Sequence, residues 1–235
     1  MKYSLVIPVF NEEGNLEFLQ DKIDKTMKPL KADFEVIYVD DLSSDGSLQV
    51  MKNMQSKYPE IKVVSLKKKS GQSAALYAGF MACLGQWIIT LDADCQNPPE
   101  EILRLTQFEN EFDFISGIRK KRGDNFLRKT SSAMAKFARK AILKDPTQDT
   151  GCALRLFKKD IISSIYFFRN FHRFFPYLAR LHGFKVKETP ITHEPRYKGR
   201  SKYKTFNRLV EGLFDLWGVF WLKKRTIKHG SKTQY

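Results

Sequence analysis

Two aspartates separated by one alanine, Asp92 and Asp94, stand directly after the apolar run of residues 87–91. Carboxylates two positions apart in a tight turn at a strand end can both approach one hard cation. Mg²⁺ and Mn²⁺ prefer oxygen ligands and commonly bridge protein carboxylates to substrate phosphates. The pair therefore predicts a divalent-metal site, and the alternative is a plain surface turn.

Polar side chains also follow two earlier apolar runs. Asn11 and Glu12 come after the first run, and Asp40 and Asp41 stand at the end of the second. Because ligands bind beyond the carboxyl ends of the strands in parallel sheets, we expect these side chains near the aspartate pair. Asp41 stays open between a role in the site and a structural role, as does Asp45, which is also placed to cap a helix.

Basic residues are concentrated in two segments of a chain that carries a net charge of +15. Residues 119–144 contain ten Lys or Arg, and residues 196–208 contain six and no acidic residue. This charge indicates an anionic partner, which can be nucleic acid, an anionic membrane surface or a phosphorylated substrate. Nucleic acid is disfavoured because aromatic residues do not alternate with the cations in any recognisable module. The first segment also fits a solvated helix face.

The elements that must position these residues alternate between strand and helix in the first half of the chain. Strands are predicted at residues 3–9, 34–39, 62–66, 87–91 and 112–118. Helices are predicted over 12–27 and 45–57, from a Ser70 cap through Phe80, and from Pro98 onward. Near-continuous apolar strands separated by helices predict an α/β fold, with a mainly parallel sheet covered by helices on both faces.

The C-terminal part combines aromatic and basic residues. A helix is predicted from about residue 203 to residue 222, and three cations at 223–225 follow its aromatic end. Such a helix fits a membrane interface, and the alternative is a helix packed on the core or on a partner chain. The sequence has no run of the roughly 18 apolar residues that a membrane span needs. Its first ten residues lack the pattern of a signal peptide.

The three cysteines, Cys83, Cys95 and Cys152, are far apart and form no CxxC pair. A disulfide framework or a zinc site is therefore not expected, and a reducing compartment is the default. Each cysteine is expected to be a small buried residue.

Four segments in order resemble family 2 glycosyltransferases. Residues 6–13 read VIPVFNEE, residues 38–47 read YVDDLSSDGS, residues 91–100 read LDADCQNPPE, and residues 200–203 read RSKY. The third segment has the form found in dolichyl- or polyprenyl-phosphate sugar synthases, such as dolichol-phosphate mannosyltransferases. The similarity covers about residues 3–215, which is most of the chain.

The resemblance implies a GT-A (Rossmann-like) fold in residues 1–215, a nucleotide-diphospho-sugar donor and inversion at the anomeric carbon. Residues 216–235, with their aromatic and basic residues, are expected to form an amphipathic, basic extension at the membrane interface. The implied donor-binding residues are Pro8, Phe10, Glu12, Asp40 and Asp92, and the implied ligands of Mg²⁺ or Mn²⁺ are Asp92, Asp94 and Gln96. Leu42 stands where the family usually has Gly, so the choice between a GDP-sugar and a UDP-sugar stays open.

The basic residues favour a phosphate as the acceptor. A sugar hydroxyl needs a general base, whereas a lipid monophosphate is already anionic and needs cations that bind it. The residues that fit this role are Arg119, Arg128, Arg200 and Lys202, with Ser132 as a further hydrogen-bond donor.

The role of Asp149 distinguishes two possible functions. It stands where hydroxyl-acceptor relatives have a catalytic carboxylate, so it is either a general base or a group that orients a phosphate-binding arginine. The first function is transfer of a sugar to undecaprenyl or dolichyl phosphate, which supplies a polyprenyl-monophosphate sugar for cell-envelope glycans or glycolipids. The alternative is transfer to a saccharide hydroxyl in surface polysaccharide synthesis. The expected catalytic residues are Asp92, Asp94, Arg119, Arg128 and Asp149.

The expected location is the cytoplasmic face of the membrane, as a peripheral protein, or the cytoplasm. An anionic membrane surface is therefore an expected partner. Relatives often carry C-terminal transmembrane helices that this sequence lacks, so a separate integral-membrane protein is expected to receive or flip the product.

Overall fold

The computed structural model describes residues 1–119, 136–197 and 205–226, and of residues 205–210 it describes the backbone alone. The chain forms two compact units. The first unit comprises residues 1–122 and 149–200, and the second comprises residues 123–148 and 201–235. The division at residue 215 that the sequence predicts stays a prediction.

The first unit is built on a seven-stranded sheet with the strand order β3-β2-β1-β4-β6-β5-β7. The strands are β1 (Tyr3–Val9), β2 (Phe34–Asp40), β3 (Ile61–Ser65), β4 (Trp87–Thr90), β5 (Phe114–Arg119), β6 (Arg155–Lys158) and β7 (Val186–Ile191). All five predicted strands are confirmed to within three residues at each end, and β6 and β7 were not predicted.

The sheet is parallel except for β6, which runs antiparallel to both of its neighbours, β4 and β5. The predicted mainly parallel sheet is therefore confirmed. Because β6 runs in the opposite direction, it begins at the edge where the parallel strands end. Residues 149–155 thereby join the loops that follow β1, β2, β4 and β5.

The helices of the first unit lie between these strands. They are α1 (Leu16–Met27), α2 (Ser47–Lys57), α3 (Gln72–Ala82), α4 (Ile102–Thr106), α6 (Asp160–Ser164) and α7 (Phe175–Leu181), while α5 (described over residues 136–143) and α8 (Thr205–Arg225) belong to the second unit. α1 starts at Leu16 rather than at the predicted Glu12, and the backbone amides of Glu12 and Glu13 donate to Ser47 and Asp45 in the preceding turn.

Both faces of the sheet are covered, as the alternation of side chains along β1 shows. Leu5 and Ile7 are fully buried in a cluster that includes Leu16 and Leu19 of α1. Val6 points to the opposite face, where it meets α3. Successive side chains of a strand point to opposite faces, so α1 and α3 cover different sides of the sheet.

Aromatic rings fill the core around Phe157 of β6. Its ring centroid lies 5.5 Å from Phe80 of α3, 5.4 Å from Phe114 of β5 and 4.8 Å from Phe175 of α7. All four side chains are buried. Offset and edge-to-face ring pairs at such distances stabilise the core beyond the burial of their area.

The second unit contains α8 (Thr205–Arg225) and α5, of which residues 136–143 are described. Lys223 Nζ of α8 donates to the Leu143 carbonyl at the end of α5, at 2.8 Å. Arg139 of α5 is buried, pairs with Asp145 at 2.8 Å and donates to the Thr147 carbonyl. At least one cation of the basic segment therefore has a structural role.

None of the helices in the described part of the chain is long and apolar enough to cross a membrane. The three cysteines are free and buried, as the sequence predicts. Burial raises the pKa of each thiol to about 12, so none of them is a thiolate near neutral pH.

Gly79 allows α3 to lie close to the sheet. A Cβ at this position would overlap Val6 Cγ1 and would stand 3.1 Å from Val39 Cγ2. Because both neighbours are stiff β-branched side chains, we expect Gly79→Ala to lower the free energy of unfolding by about 1–3 kcal/mol in urea denaturation.

Gly218 of α8 provides the matched control, since a Cβ there meets no atom within 4 Å. Gly218→Ala is expected to leave stability unchanged or to raise it slightly, because alanine is the better helix former. Equal stability of the two variants would contradict the close approach of α3 to β1.

Candidate functional site

The aspartate pair lies at the carboxyl end of β4, as predicted. Asp94 is buried, and its Oδ1 accepts the Gln96 amide at 3.1 Å, which closes the turn around Cys95. Cys95 has a φ of +60°, a left-handed conformation that few side chains adopt. The half-buried Asp92 carboxylate accepts a hydrogen bond at Oδ1 from Gln72 Nε2, at 2.9 Å.

Both carboxylates are held where negative charge is disfavoured. Burial, followed by the nearby Asp94, raises the pKa of Asp92 to about 7, against the opposing effects of Arg119, Arg155 and Arg196. Burial also raises the pKa of Asp94, although Arg196 counteracts it. Two desolvated carboxylates beside each other are stabilised by a cation, so the residues fit a divalent ion.

Arg196 already supplies one positive charge to this pair. Its Nη2 lies 2.8 Å from Asp94 Oδ2, and its Nη1 donates to Glu12 Oε1 at 3.2 Å. The sequence placed Arg196 only within a basic segment, so its contact with the metal-site candidate was not predicted. Arg196 thereby bridges Glu12, a predicted donor-binding residue, and Asp94.

Gln96 is also held by the segment that carries Arg196. Its backbone carbonyl accepts the Glu194 amide at 2.9 Å, and its side-chain nitrogen donates to the Glu194 carbonyl at 3.4 Å. Neither of these hydrogen bonds uses the side-chain oxygen of Gln96. Its assignment as a metal ligand stays a prediction.

No group of three or more His, Cys, Asp or Glu side chains within the described residues is arranged to hold a metal ion alone. Asp92 and Asp94 supply two carboxylates. Mg²⁺ and Mn²⁺ commonly complete such partial sites with substrate phosphates and water. The arrangement therefore fits a metal that is shared with a phosphorylated ligand.

The predicted donor-binding residues lie at the ends of β1 and β2. Pro8 is in β1, and the Phe10 ring lies under Lys69, whose Nζ is 3.7 Å from the ring centroid. Asp40 is buried, and its two oxygens accept from the Ser43 amide at 3.1 Å and the Ser65 hydroxyl at 3.4 Å. Asp40 thus shapes the turn after β2.

Leu42 occupies the turn after β2 with a φ of +57° and an exposed side chain. Glycine adopts this left-handed conformation without strain, whereas a leucine does so at an energetic cost. The chain therefore retains the turn in spite of the substitution, and an apolar side chain stands exposed beside Asp40.

Asp41 and Asp45 both support helix starts. The Asp41 carboxylate accepts the Ser70 and Gly71 amides, at 2.6 and 2.8 Å, just before α3. Asp45 Oδ1 accepts the Ser47 amide at the first residue of α2, at 3.0 Å. The predicted Ser70 cap is wrong: its hydroxyl donates to the Lys68 carbonyl, and α3 begins at Gln72.

Arg119 and Asp149 form a two-point ion pair at the same edge of the sheet. Arg119 Nε and Nη2 donate to the two Asp149 oxygens at 2.7 and 2.8 Å, and the Gly151 amide donates to Oδ1 at 3.0 Å. Burial disfavours charge on Arg119, but the adjacent Asp149 outweighs it and the pKa of Arg119 is raised. Asp149 therefore fixes the orientation of a cationic guanidinium.

Arg155, at the start of β6, is a site residue that sequence analysis missed. Its side chain is buried, and one nitrogen donates to the Thr150 carbonyl at 3.1 Å. Burial lowers its pKa, and the carboxylates of Asp92 and Asp149 interact favourably with its charge. Its strand reads RLFK, with two apolar residues between two basic ones, so no apolar pattern marked it in the sequence.

Four predicted acceptor-phosphate residues lie outside the described residues. They are Arg128, Ser132, Arg200 and Lys202. Of this predicted group, only Arg119 lies within them, and its role in the acceptor site stays a prediction like theirs.

The raised pKa of Asp92 predicts a stability change. The pKa of Asp92 is near 3.8 in the unfolded chain and about 7 in the folded protein. Above about pH 7 its carboxylate form therefore lowers the free energy of unfolding, and this destabilisation disappears as the pH falls toward 4. We expect Asp92→Asn, measured in EDTA at about pH 8, to melt several degrees higher than the wild type, at about 2–4 °C per kcal/mol.

This difference should shrink when the melting temperatures are compared at about pH 5, because Asp92 is then largely protonated in the folded state. Asparagine retains the oxygen that accepts the Gln72 hydrogen bond. A lower melting temperature of the variant at the higher pH would contradict the unfavourable charge at this position.

Comparison with known proteins identifies the family of this chain. The family model described as "Glycosyl transferase family 2" matches residues 4–166. The undecaprenyl-phosphate 4-deoxy-4-formamido-L-arabinose transferase of Pseudomonas fluorescens (strain Pf0-1) is 39% identical over 216 residues, which cover 91% of this chain. The chain spans only 63% of the length of that relative.

Two solved structures share the fold at low sequence identity. Glucosyl-3-phosphoglycerate synthase from Mycobacterium tuberculosis, in complex with Mn²⁺, UDP and phosphoglyceric acid, has a TM-score of 0.72 at 15% identity, covering 97% of this chain and 80% of that one. Mannosyltransferase PcManGT from Pyrobaculum calidifontis, in complex with GDP-Man and Mn²⁺, has a TM-score of 0.69 at 17% identity, covering 97% and 66%. The seven-stranded sheet with its antiparallel β6 therefore has a GT-A-like fold. With a family model that matches most of its length, the chain belongs to glycosyl transferase family 2.

Proposed function

We propose that this protein transfers a sugar from a nucleotide-diphospho-sugar to a polyprenyl phosphate, with inversion at the anomeric carbon. An oxygen of the lipid phosphate forms the new bond to that carbon, while the bond from the carbon to the donor diphosphate breaks. The product is a polyprenyl-monophosphate sugar. The observation that carries the proposal is the Arg119–Asp149 ion pair at the same sheet edge as Asp92 and Asp94.

The donor half of the site rests on the aspartate turn. Asp92 and Asp94 would hold Mg²⁺ or Mn²⁺, which supplies Lewis-acid stabilisation of the departing diphosphate. The relatives solved with Mn²⁺ and a nucleotide support this use of a divalent metal. Phe10, Glu12 and Asp40 line the neighbouring strand ends, where ligands bind in sheets of this kind.

The acceptor half rests on Arg119. A guanidinium held in one orientation can bind a phosphate oxygen and offset its repulsion from the donor diphosphate. Arg155 adds a buried positive charge near Asp92 and Asp149. Arg128, Ser132, Arg200 and Lys202 are proposed as further acceptor contacts on the basis of the sequence.

Transfer to a saccharide hydroxyl is less well supported. A general base needs a free oxygen within hydrogen-bond reach of the hydroxyl that it deprotonates. Asp149 instead directs both oxygens to Arg119, and it accepts the Gly151 amide as well. An anionic phosphate acceptor requires no such base, which agrees with Asp149 as an orienting group.

The acceptor lipid is proposed from the curated relative, whose name specifies undecaprenyl phosphate and 4-deoxy-4-formamido-L-arabinose. Aminoarabinose derivatives are therefore among the sugars to test, together with hexoses and N-acetylhexosamines. The base of the donor is proposed to be uracil or guanine. Such a product would serve cell-envelope glycan or glycolipid modification.

The decisive experiment offers the purified protein Mn²⁺, UDP- and GDP-sugars, and undecaprenyl phosphate, with mass spectrometry of the extracted lipids. We expect a sugar-phosphate lipid with at least one donor, no product after addition of EDTA, and no product with Asp94→Ala. Undecaprenol is the matched acceptor control, because it has the same chain and a hydroxyl in place of the phosphate. Transfer to undecaprenol or to saccharides alone would overturn the proposal.

A peripheral membrane location is proposed from the exposed face of α8. Leu213, Phe214, Trp217 and Trp221 are between 56% and 75% exposed and fall on one side of the helix. Lys224 and Arg225 at the end of the same helix are also exposed. Rings at headgroup depth beside cations that meet anionic lipid are typical of interfacial helices.

The double variant Trp217→Ser with Trp221→Ser is expected to bind vesicles that contain anionic lipid at least tenfold more weakly, a loss of about 1.4 kcal/mol, because the rings no longer enter the interface. Tyr166→Ser is the matched control, since Tyr166 belongs to the first unit and is as exposed as Trp221, at 61%. Binding of the wild type should weaken with salt. Unchanged sedimentation of the double variant with vesicles would contradict this location.

A further inference from the structure

Gln72, the first residue of α3, connects that helix to the metal-site candidate. Its Nε2 donates to Asp92 Oδ1 at 2.9 Å. A hydrogen bond to one carboxylate oxygen restricts rotation of the carboxylate and directs the other oxygen away from the donor. The contact joins residues that are twenty positions apart in sequence.

The position of Gln72 is fixed from one side by Asp41. That carboxylate accepts the amides of Ser70 and Gly71, the two residues before α3. Gly71 has a φ of +85°, a conformation that side chains other than glycine rarely adopt. The loop therefore reaches Gln72 along a defined path that begins at the turn after β2.

The first turn of α3 is fixed from the other side by residues 170–172. The Ser73 hydroxyl accepts the Asn170 amide at 2.9 Å and lies 2.8 Å from His172 Nδ1. Gly79 then holds the body of the helix against β1. The backbone from which the Gln72 side chain reaches Asp92 is therefore held on both sides.

We propose that Gln72 is a positioning residue, which orients the Asp92 carboxylate for a divalent cation. The inference rests on the proposed function, because it assumes that Asp92 and Asp94 hold the metal of the donor complex. An amide suits this place better than a cation would, since it donates a hydrogen bond without neutralising the charge on Asp92. Arg196 contacts the other carboxylate, Asp94, so the two aspartates are supported by different chemistry.

The experiment measures the affinity for Mn²⁺ in the presence of UDP by electron paramagnetic resonance, without any lipid. Gln72→Met removes the N–H donor at nearly constant volume, and Gln72→Ala removes the side chain. Loss of a hydrogen bond that orients a metal ligand typically lowers affinity by 10–100-fold, so we expect at least about tenfold weaker binding in both. Melting temperatures show whether the variants fold.

Gln49 is the matched control. It is an exposed glutamine of α2 whose Nε2 donates to Asn53 Oδ1 at 2.9 Å, away from the carboxylates. Gln49→Met and Gln49→Ala are expected to bind Mn²⁺ within about twofold of the wild type, because they remove an equivalent hydrogen bond elsewhere. Higher Mn²⁺ concentrations should restore activity to the Gln72 variants and should not change the Gln49 variants.

The outcomes separate the two proposals. Wild-type Mn²⁺ affinity in Gln72→Met would overturn the positioning role and leave the proposed function intact. If the Gln72 variants bind Mn²⁺ more weakly as expected, but the wild type transfers no sugar to undecaprenyl phosphate, the acceptor assignment alone is overturned. No Mn²⁺ binding by the wild-type protein would overturn both the metal site and the role of Gln72.

Discussion

The burial of two neighbouring carboxylates is the constraint on which the site depends. Asp92 and Asp94 are desolvated in one short turn, and the charge of Asp94 adds to the cost of ionising Asp92. The fold compensates with cations that come from distant parts of the first unit: Arg119 from β5, Arg155 from β6 and Arg196 from the segment after β7. The arginines at this edge of the sheet therefore stabilise the buried carboxylates, in addition to any part they take in binding a phosphorylated ligand.

The same electrostatic requirement explains why Asp149 and Arg119 occur together. A lone arginine beside Arg155 would be repelled, and a lone buried carboxylate would be desolvated without a partner. The two-point pair satisfies both groups and leaves the plane of the guanidinium fixed. This geometry is the basis on which we propose an orienting role for Asp149.

The sequence predicted those parts of the fold and site that depend on neighbouring residues. Five strands and the Asp92 turn were accessible because their apolar runs and polar ends are continuous in the chain. The strand at 155–158 was missed because only two of its residues are apolar and basic residues flank them, and the one at 186–191 because a proline and two charged residues interrupt its pattern. Gln72, Arg155 and Arg196 were missed because each acquires its role only from contacts between different elements, which no local spacing encodes.

The antiparallel strand β6 separates the site into an early and a late half during synthesis. Strands β1 to β4, with the Asp92 turn, are encoded within the first hundred residues, and each of β2 to β4 pairs with a strand already made. The second edge of β4 is paired only after residues 155–158 are synthesised. β5 joins the sheet later than its place in the sequence because it pairs with β6 and not with β4. Arg119, Asp149 and Arg155 therefore gather only after a long loop closes, which is the slow, entropically costly part of folding. In the growing chain, the Asp92 turn is therefore synthesised well before the arginines that offset its negative charge.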